Sequence, residues 1–343
     1  MRRLLPIVAA MVVMGLFGLG VYSILGTLKS SRNHSQKPTQ EQALVYLPGT
    51  VYVVQGGDIY SLSNLEFTPL KAPPYDWVQV EPAPDGDLLA VAFFAAPSSY
   101  SNVYLLNSSG QVVRQLLQES STQYFGNHWA YYPKVSPDGS TLFFTTDWLD
   151  PYAAYDVDFE IAAVPFASPS SSPTVWSTPN QYQGGDVEPI PLASGGVIYA
   201  KYAVSTAGAT YAQLVYVSSP YANPVYLTTP AQDCSEPALS PSGTELAMVC
   251  TNNSLQATTL EVASWNGGSL GTPVVISDGP MAASPSWSPD GKSVLYLNTL
   301  LSNKASPFQL WWVPRASSAK PGAPEQVTEN LNFTATSPAV WAS

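Results

Sequence analysis

The chain has 343 residues, a formal net charge of −11 and only two histidines. Beyond residue 38 it carries 24 acidic side chains against 8 basic ones. This balance argues against nucleic acid or an anionic lipid surface as a partner, because both require clustered Lys or Arg. The histidines, His34 and His128, are too few for a His-rich metal site, and no Gly-x-Ser-x-Gly sequence supports a serine hydrolase.

The N-terminal segment predicts a membrane anchor. Arg2 and Arg3 precede an uncharged run of 25 residues from Leu4 to Leu28, which is long enough to span a bilayer core as a helix. The run exceeds the apolar core of a signal peptide, and no clear cleavage site follows it. We therefore predict a signal anchor over 1–28, a polar linker over 29–44, and a remaining chain outside the cytoplasm. The alternative is a cleaved signal peptide and a secreted protein.

A short sequence motif then recurs at a spacing near fifty residues. It consists of a proline, a turn that resembles Ser-Pro-Asp-Gly, and an apolar strand, as in Pro285, Ser288–Gly291 and Val294–Tyr296. The leading prolines are Pro82, Pro133, Pro189, Pro237, Pro285 and Pro338. Successive ones are 51, 56, 48, 48 and 53 residues apart. Pro presets φ for a type I turn and Gly accepts the positive φ that follows. Each copy of the motif therefore predicts a hairpin between two strands.

Two more runs rich in β-branched and aromatic residues follow each of the first five hairpins. Such runs are typical of strands. They predict third strands over 102–106, 159–164, 213–217, 258–262 and 308–313, and fourth strands over 112–116, 173–177, 225–228, 274–277 and 325–328. Four-stranded repeats of about fifty residues predict the blades of a β-propeller.

The two ends of the chain predict a sixth blade that is shared between them. Residues 337–341 resemble a first strand with nothing after it, whereas 50–54, 58–62 and 67–70 resemble second, third and fourth strands without a first. Joining them closes the ring and removes the exposed sheet edges that an open ring would leave. The prediction is an all-β, six-bladed β-propeller over 45–343, closed by a split blade and preceded by one transmembrane helix.

The repeated motif resembles that of the TolB-type six-bladed propellers, in which Pro-x-Trp-Ser-Pro-Asp-Gly-Lys precedes an apolar strand. Residues Pro285 to Lys292 match that pattern at every position, and Pro133 to Gly139 match it with Val135 in place of the aromatic residue. Ser242 replaces Asp in another copy. The resemblance implies the fold and leaves the function open, because such propellers serve as binding platforms, peptidase gates and enzymes.

The only two cysteines flank one of the predicted hairpins. Cys234 and Cys250 stand almost opposite each other across the turn at Ser242-Gly243. In an exported domain this arrangement favours a disulfide. The alternative is a pair of buried thiols that pack as small apolar residues.

The candidate binding residues are aromatic and carboxylate side chains in loops. In a propeller, the loop before each first strand and the loop between second and third strands share one face. On that face we place Asp76, Trp77, His128, Trp129, Asp147 and Trp148, and we place Glu81, Glu188 and Glu236, which precede leading prolines, beside it at the mouth of the central channel. Such groups recognise peptides or sugars. The alternative is that the aromatic residues cap the blades and the glutamates accept hydrogen bonds from a neighbouring blade.

These observations favour a membrane-anchored extracytoplasmic binding or scaffold module whose partner is a neutral or basic protein, peptide or glycan. The alternative is a glycan-processing enzyme in which two carboxylates act as acid and base. We predict no bound cofactor and no catalytic residue. Asp156, Asp158 and Glu160 are candidates for a calcium ion, although their alternation equally fits an ordinary strand edge.

Overall fold

Six four-stranded antiparallel sheets form the blades of a β-propeller, as the repeats predict. The structure is a computed structural model and describes residues 42–95, 99–121, 126–149, 158–169, 172–181, 183–252, 257–277, 280–299, 307–314, 316 and 319–342. No helix in these ranges is long and apolar enough to cross a membrane. The predicted anchor over 1–28 and most of the predicted linker lie outside the described residues.

In every blade the strands follow chain order from the first strand to the fourth, and the sixth blade takes its first strand from the C-terminus. Blade 1 contains β4 (Asp76–Pro82), β5 (Leu88–Phe94), β6 (Tyr100–Leu106) and β7 (Val112–Leu117); blade 2 contains β8 (Ala130–Val135), β9 (Thr141–Thr146), β10 (Glu160–Pro165) and β11 (Thr174–Val175); blade 3 contains β12 (Asp186–Pro191), β13 (Val197–Val204), β14 (Thr210–Val217) and β15 (Val225–Tyr226); blade 4 contains β16 (Cys234–Leu239), β17 (Glu245–Asn252), β18 (Ala257–Ser264) and β19 (Val274–Val275); blade 5 contains β20 (Ala283–Trp287), β21 (Val294–Thr299), β22 (Phe308–Val313) and β23 (Glu325–Gln326); and blade 6 contains β24 (Val340–Ala342), β1 (Thr50–Gln55), β2 (Asp58–Ser63) and β3 (Glu66–Pro69).

The split blade closes the ring through strand pairing and side-chain packing. Strand β24 pairs antiparallel with β1, with Trp341 opposite Val51. The Trp341 ring is buried, and its Nε1–H donates to the carbonyl oxygen of Pro48 at 2.5 Å. Ahead of β1, Ala43 is also buried and its N–H donates to the Leu65 carbonyl oxygen at 2.8 Å. Packing of the propeller therefore includes Ala43, which lies inside the predicted linker.

Among the described residues the hydrophobic core is divided into six clusters, each located between two adjacent blades. One cluster joins blades 2 and 3 through Phe143, Ile161 and Tyr199, and another joins blades 5 and 6 through Leu295 and Trp341. Strands of this kind read as nearly continuous apolar runs, because both faces of each sheet are covered by a neighbour. Each blade thus depends on two others for its burial.

The repeated turns connect the first and second strands of each blade at one end of the propeller, which we call the turn face. In blade 2 the Gly139 N–H donates to the Ser136 carbonyl oxygen at 2.8 Å, and Gly139 has φ of 74°. The Asp138 carboxylate accepts hydrogen bonds from the Ser136 hydroxyl and the Ser140 N–H, and these hold its pKa near 2. The turn is therefore closed by side chains as well as by the backbone. The opposite end of the propeller is the loop face.

A closed belt of hydrogen bonds runs round the channel and links every pair of adjacent blades. It arises because Tyr132, Glu188, Glu236 and Ser284, each just before a leading proline, have positive φ. At these positions the first strand bulges, and its N–H turns towards the preceding blade. The bonds are Tyr132 N–H to Gln79 Oε1 (2.7 Å), Glu188 N–H to Thr145 Oγ1 (3.1 Å), Glu236 N–H to Glu188 Oε2 (2.8 Å), Ser284 N–H to Glu236 Oε2, Ser284 Oγ–H to Ala335 O (2.6 Å) and Gln79 Nε2–H to Thr336 O (3.3 Å).

The predicted disulfide is confirmed. Cys234 on β16 and Cys250 on β17 lie directly opposite each other and are bonded. Both are buried in the cluster between blades 3 and 4. The bond joins the first two strands of blade 4, two residues from the belt residue Glu236.

Deleting Pro338 to Ser343 should open the ring. The deletion removes β24 and the buried Trp341, and replacing one buried Trp by Ala alone costs about 3–5 kcal/mol. We expect a loss of at least that size in the free energy of unfolding, with self-association through the exposed edge of β1. Denaturant unfolding and analytical ultracentrifugation measure both effects. Deletion of Ser343 alone is the control, and an equally stable monomer after the longer deletion would contradict the split blade.

Chain recovered from an oxidising compartment should contain no reactive thiol when denatured without reductant. Replacing both Cys234 and Cys250 by Ala should lower the free energy of unfolding by roughly 3 kcal/mol, because the bond closes a loop of about 15 residues in the unfolded chain. Thiol titration and denaturant unfolding are the measurements. Two reactive thiols in the unreduced chain would rule the bond out.

Candidate functional site

A cavity of about 410 Å³ lies in the central channel, lined by described residues of all six blades. Its inner end is formed by the belt residues Gln79, Tyr132, Glu188, Glu236 and Ser284. From there it extends along the first strands to the proline turns, so it opens on the turn face. Its outer rim includes the turn residues Pro137, Ala193, Ser242 and Gly243 from blades 2, 3 and 4.

Two carboxyl groups, those of Glu188 and Glu236, form one wall of the cavity. Each accepts a backbone hydrogen bond from the next blade through its Oε2 atom, from Glu236 N–H and from Ser284 N–H respectively. The Oε1 atom of each has no hydrogen-bond partner among the residues that the structure describes. Each carboxyl therefore fulfils a structural role with one oxygen and leaves the other available to the cavity.

Burial controls the protonation of this wall. It raises the pKa of Glu188 to about 8, and the negative charge of Glu236 adds to that rise. It also raises the pKa of Glu236 to about 7. The nearby phenols of Tyr132 and Tyr202 have raised pKa values because of burial and the negative charge of both carboxylates. Near neutral pH the wall therefore holds exchangeable protons, and a positive charge brought beside it would displace them.

The third predicted glutamate has a different partner. Glu81 forms an ion pair with Lys134 of the neighbouring blade, whose Nζ donates to Glu81 Oε1. In blade 1 the bulge lies earlier, between Trp77 and Gln79, so Gln79 takes the belt position that Glu188 and Glu236 occupy in their blades. Glu81 thus lines the cavity as one half of a neutral pair.

A second group of titratable residues lies at the loop face of blade 2. The Nδ1 atom of His128 is 3.4 Å from Oδ1 of Asp147, and that oxygen also accepts the Trp129 N–H at 2.8 Å. Asp147 is completely buried, and its contact with His128 raises the pKa of the imidazole despite partial burial. Burial also raises the pKa of nearby Glu119 to about 7. The Trp148 ring is 42% exposed and lies 5.5 Å from the imidazole.

The remaining predicted site residues have structural contacts. Trp77 is only 2% exposed, and its Nε1–H donates to the Pro73 carbonyl oxygen at 2.9 Å. Asp76, at the start of the same strand, lies against Gly57 of blade 6. The Trp129 ring makes an edge contact with Phe159. Of the aromatic residues predicted on the loop face, Trp148 presents the most surface to a partner.

Six of the nine predicted residues therefore divide into two groups instead of forming one site, and the other three make structural contacts. Glu81, Glu188 and Glu236 line the cavity that opens on the turn face, whereas His128, Asp147 and Trp148 lie together on the loop face. Sequence reasoning missed Tyr132 and Ser284 in the cavity. Both precede a leading proline, as Glu188 and Glu236 do, so aligning the repeats by that position would have found them. No sequence signal pointed to Glu119.

The calcium prediction stays untested, because Asp156 lies outside the described residues. Glu160 is buried, and its Oε1 accepts the Leu149 N–H at 2.7 Å. Within the described ranges, no three His, Cys, Asp or Glu residues lie together in a way that could hold a metal ion.

Comparison with solved structures shows which class of fold this is. The chain is similar to TolB from Acinetobacter baumannii, with a TM-score of 0.61 and 15% identity over 85% of this chain and 66% of that one. It is similar to a TolB protein from Agrobacterium tumefaciens, with a TM-score of 0.56 and 13% identity over 88% and 94%. The fold is therefore a six-bladed β-propeller of the TolB type.

The same fold comparison includes an enzyme. The apocarotenoid oxygenase of Synechocystis superposes with a TM-score of 0.53 and 13% identity over 88% of this chain and 74% of that one. No known family profile matches the chain, and no curated protein matches its sequence. At these identities the likeness concerns the fold alone, so the function has to be argued from the site.

The charge of Asp147 should control the titration of His128. In NMR titrations the His128 imidazole should have a pKa above 6.5, and in Asp147→Asn a pKa below 6.5, because burial remains after the anion is lost. The amide oxygen of Asn still accepts the Trp129 N–H. Because the folded pKa exceeds the unfolded one, the stabilisation by this pair is complete below about pH 6.5 and is lost as pH rises through the folded value.

Two comparisons make this result specific. Asp233→Asn is the matched control, because Asp233 precedes the first strand of blade 4 and likewise accepts a backbone N–H, from Ala212 at 2.8 Å. It should leave the titration of His128 unchanged. The signal of His34, the only other histidine, provides an internal reference. An unchanged His128 pKa in Asp147→Asn would contradict the ion pair.

Proposed function

We propose that this chain is an extracytoplasmic binding module that captures a peptide, or an extended segment of a protein, in the central cavity through the turn face. The observation that carries the proposal is the cavity itself, about 410 Å³ in volume, with apolar prolines at its rim and polar groups at its inner end. Binding sites in proteins commonly combine a largely apolar wall with a few placed polar groups. The N-terminal segment would tether the module to a membrane.

The shape of the cavity supports an extended ligand. Its walls are the first strands of the blades, and its rim prolines include Pro137, Pro191 and Pro241. Proline leaves no N–H at the rim that would need to be desolvated on binding. A glycan would require more hydrogen-bonding groups along these walls than the prolines supply, so we favour a peptide.

The protonation of the wall supports binding over glycan hydrolysis. A glycosidase needs one carboxyl that stays ionised beside another that holds a proton. Here burial raises the pKa of Glu188 to about 8 and that of Glu236 to about 7, and Lys134 pairs with Glu81 instead of keeping either of them ionised. Oε2 of each carboxyl also accepts a backbone N–H of the belt. We therefore assign the pair a recognition role.

An array of immobilised random octapeptides, probed with the labelled full-length chain in mild detergent, tests this function. We expect a set of peptides whose signal falls about tenfold or more in Ala193→Trp, which places an indole at the cavity rim. Ala207→Trp is the matched control. Ala207 lies in an equivalent exposed turn of the same blade, at the loop face, and this change should leave the signals within about twofold.

A third variant locates the binding surface. If the peptide signals persist in Ala193→Trp and are lost in Trp148→Ala, the partner binds the loop face and the cavity assignment is wrong. If no peptide signal depends on Ala193, peptide capture in the cavity is contradicted. Thermal unfolding of each variant checks that a lost signal does not reflect a lost fold.

A further inference from the structure

We propose that the cavity recognises a primary ammonium group of its peptide ligand, at a subsite formed by Glu188, Glu236 and Tyr132. This inference rests on the proposed peptide-binding function and adds its chemical specificity. The three residues occupy the same position in blades 3, 4 and 2, one residue before the leading proline, and all three have positive φ. All three line the inner end of the cavity.

The subsite offers three acceptor oxygens without partners. The Oε2 atoms of Glu188 and Glu236 are used by the belt, whereas their Oε1 atoms have no hydrogen-bond partner in the described part of the chain. The Tyr132 hydroxyl likewise makes no hydrogen bond to a described residue, and only the Tyr132 N–H takes part in the belt. An ammonium group has three N–H donors and no acceptor, so its donors match this set.

The charge of the cavity is unbalanced on this side. Four carboxyl or ammonium side chains line it among the described residues: Glu81, Lys134, Glu188 and Glu236. Lys134 is paired with Glu81, so it neutralises that carboxylate and leaves Glu188 and Glu236 without a cation in contact. The groups that face Glu188 are Glu236, Tyr132, Tyr202 and, at longer range, Lys134. A cationic ligand group would supply the missing charge.

The backbone explains why these carboxyls stay in place without a cation. Glu188 and Glu236 are each held by a backbone N–H of the next blade, so their positions do not depend on a ligand. A preformed pair of this kind loses little freedom when a ligand binds. Burial raises the pKa of both groups towards or above neutrality, which removes the electrostatic cost of two adjacent charges in the empty cavity.

Binding of an ammonium group should therefore release protons. The ligand favours the ionised carboxylates, so the affinity for a lysine ammonium, whose own pKa is about 10.4, should rise as pH increases from about 6 to about 8. The affinity for an α-ammonium should level off near pH 8, because the pKa of that group is about 7.7–8.0. Near pH 7 we expect release of the order of one proton per peptide. Isothermal titration calorimetry in two buffers of different ionisation enthalpy measures that number directly.

The octapeptide array decides the specificity when each peptide is present in three forms. One form has a free N-terminus, one is acetylated, and one is acetylated with every lysine replaced by norleucine. Peptides that bind in an Ala193-dependent manner should lose about tenfold or more in signal when their ammonium groups are removed, which is typical of a lost charge-assisted hydrogen bond. The first two forms separate the α-amino group from a lysine side chain.

Conservative variants connect the specificity to these residues. Glu188→Gln and Glu236→Gln should each remove most of the preference for ammonium-bearing peptides, while the norleucine forms change by less than about twofold. The amide oxygen of Gln still accepts the belt N–H, so the fold should persist, which thermal unfolding verifies. Glu325→Gln, on the outermost strand β23, removes the same charge away from the cavity and should change nothing.

The outcomes separate this inference from the proposed function. Cavity-dependent peptides that bind equally well in all three forms would leave peptide capture standing and overturn the ammonium subsite. A preference that survives in both Gln variants would also overturn it. If millimolar calcium abolishes peptide binding in the wild type and has no effect in Glu188→Gln, the acidic pair binds a divalent ion instead. An absence of any Ala193-dependent peptide would contradict the proposed function itself.

Discussion

The belt of hydrogen bonds round the channel is the constraint on which the rest of this structure depends. Each blade buries its faces only against its two neighbours, so the ring is stable only when every junction is formed. The bulge before four of the six leading prolines turns a backbone N–H sideways, to an acceptor on the preceding blade. Positive φ at a residue other than glycine costs about 1–3 kcal/mol, and the bond across the junction offsets part of that cost.

The same geometry produces the candidate site. Because the belt needs acceptors, side chains with carboxyl, amide or hydroxyl oxygens occupy these positions, and they necessarily face the channel. In blades 1 and 2 the side-chain acceptors, Gln79 Oε1 and Thr145 Oγ1, are neutral, whereas Glu188 and Glu236 supply two oxygens each where one suffices. The proposed recognition would therefore be a consequence of using an acid where an amide or alcohol would hold the ring equally well. The closure of the ring and the chemistry of the cavity share the same residues.

The two ends of the propeller differ in what they can offer a partner. The turn face consists of tight turns whose backbone N–H groups donate hydrogen bonds within the turn, for example to the Asp138 carboxylate. These turns surround the cavity. The loop face carries the buried Asp147 with His128 and the partly exposed Trp148. The rim and the cavity are already formed, so the propeller would lose little conformational entropy when it binds a flexible segment. Most of that entropy would be lost by the ligand.

The sequence by itself determined the architecture, because the architecture depends on local chemistry that repeats. Proline and glycine predicted the turns, and runs of β-branched and aromatic residues predicted the strands. The spacing of the leading prolines gave the number of blades. The split blade and the cysteine pair followed from the same counting, since the register of a tight hairpin fixes which residues face each other. The observed strands differ from the predicted ones mainly at their ends, where Thr210–Val217 is longer than 213–217 and Thr174–Val175 is shorter than 173–177.

Only the tertiary structure decided where the chemistry lies. Sequence reasoning assigned the three glutamates and the loop-face aromatics to one site, whereas the direction of the first strands places the glutamates in a cavity that opens on the other face. It could not show that Lys134 pairs with Glu81, that Trp77 is buried, or that Tyr132 completes the acidic wall, because these contacts join blades about fifty residues apart. Contacts across a junction depend on the bulge and twist of both strands, and neither is encoded by a pattern within one repeat.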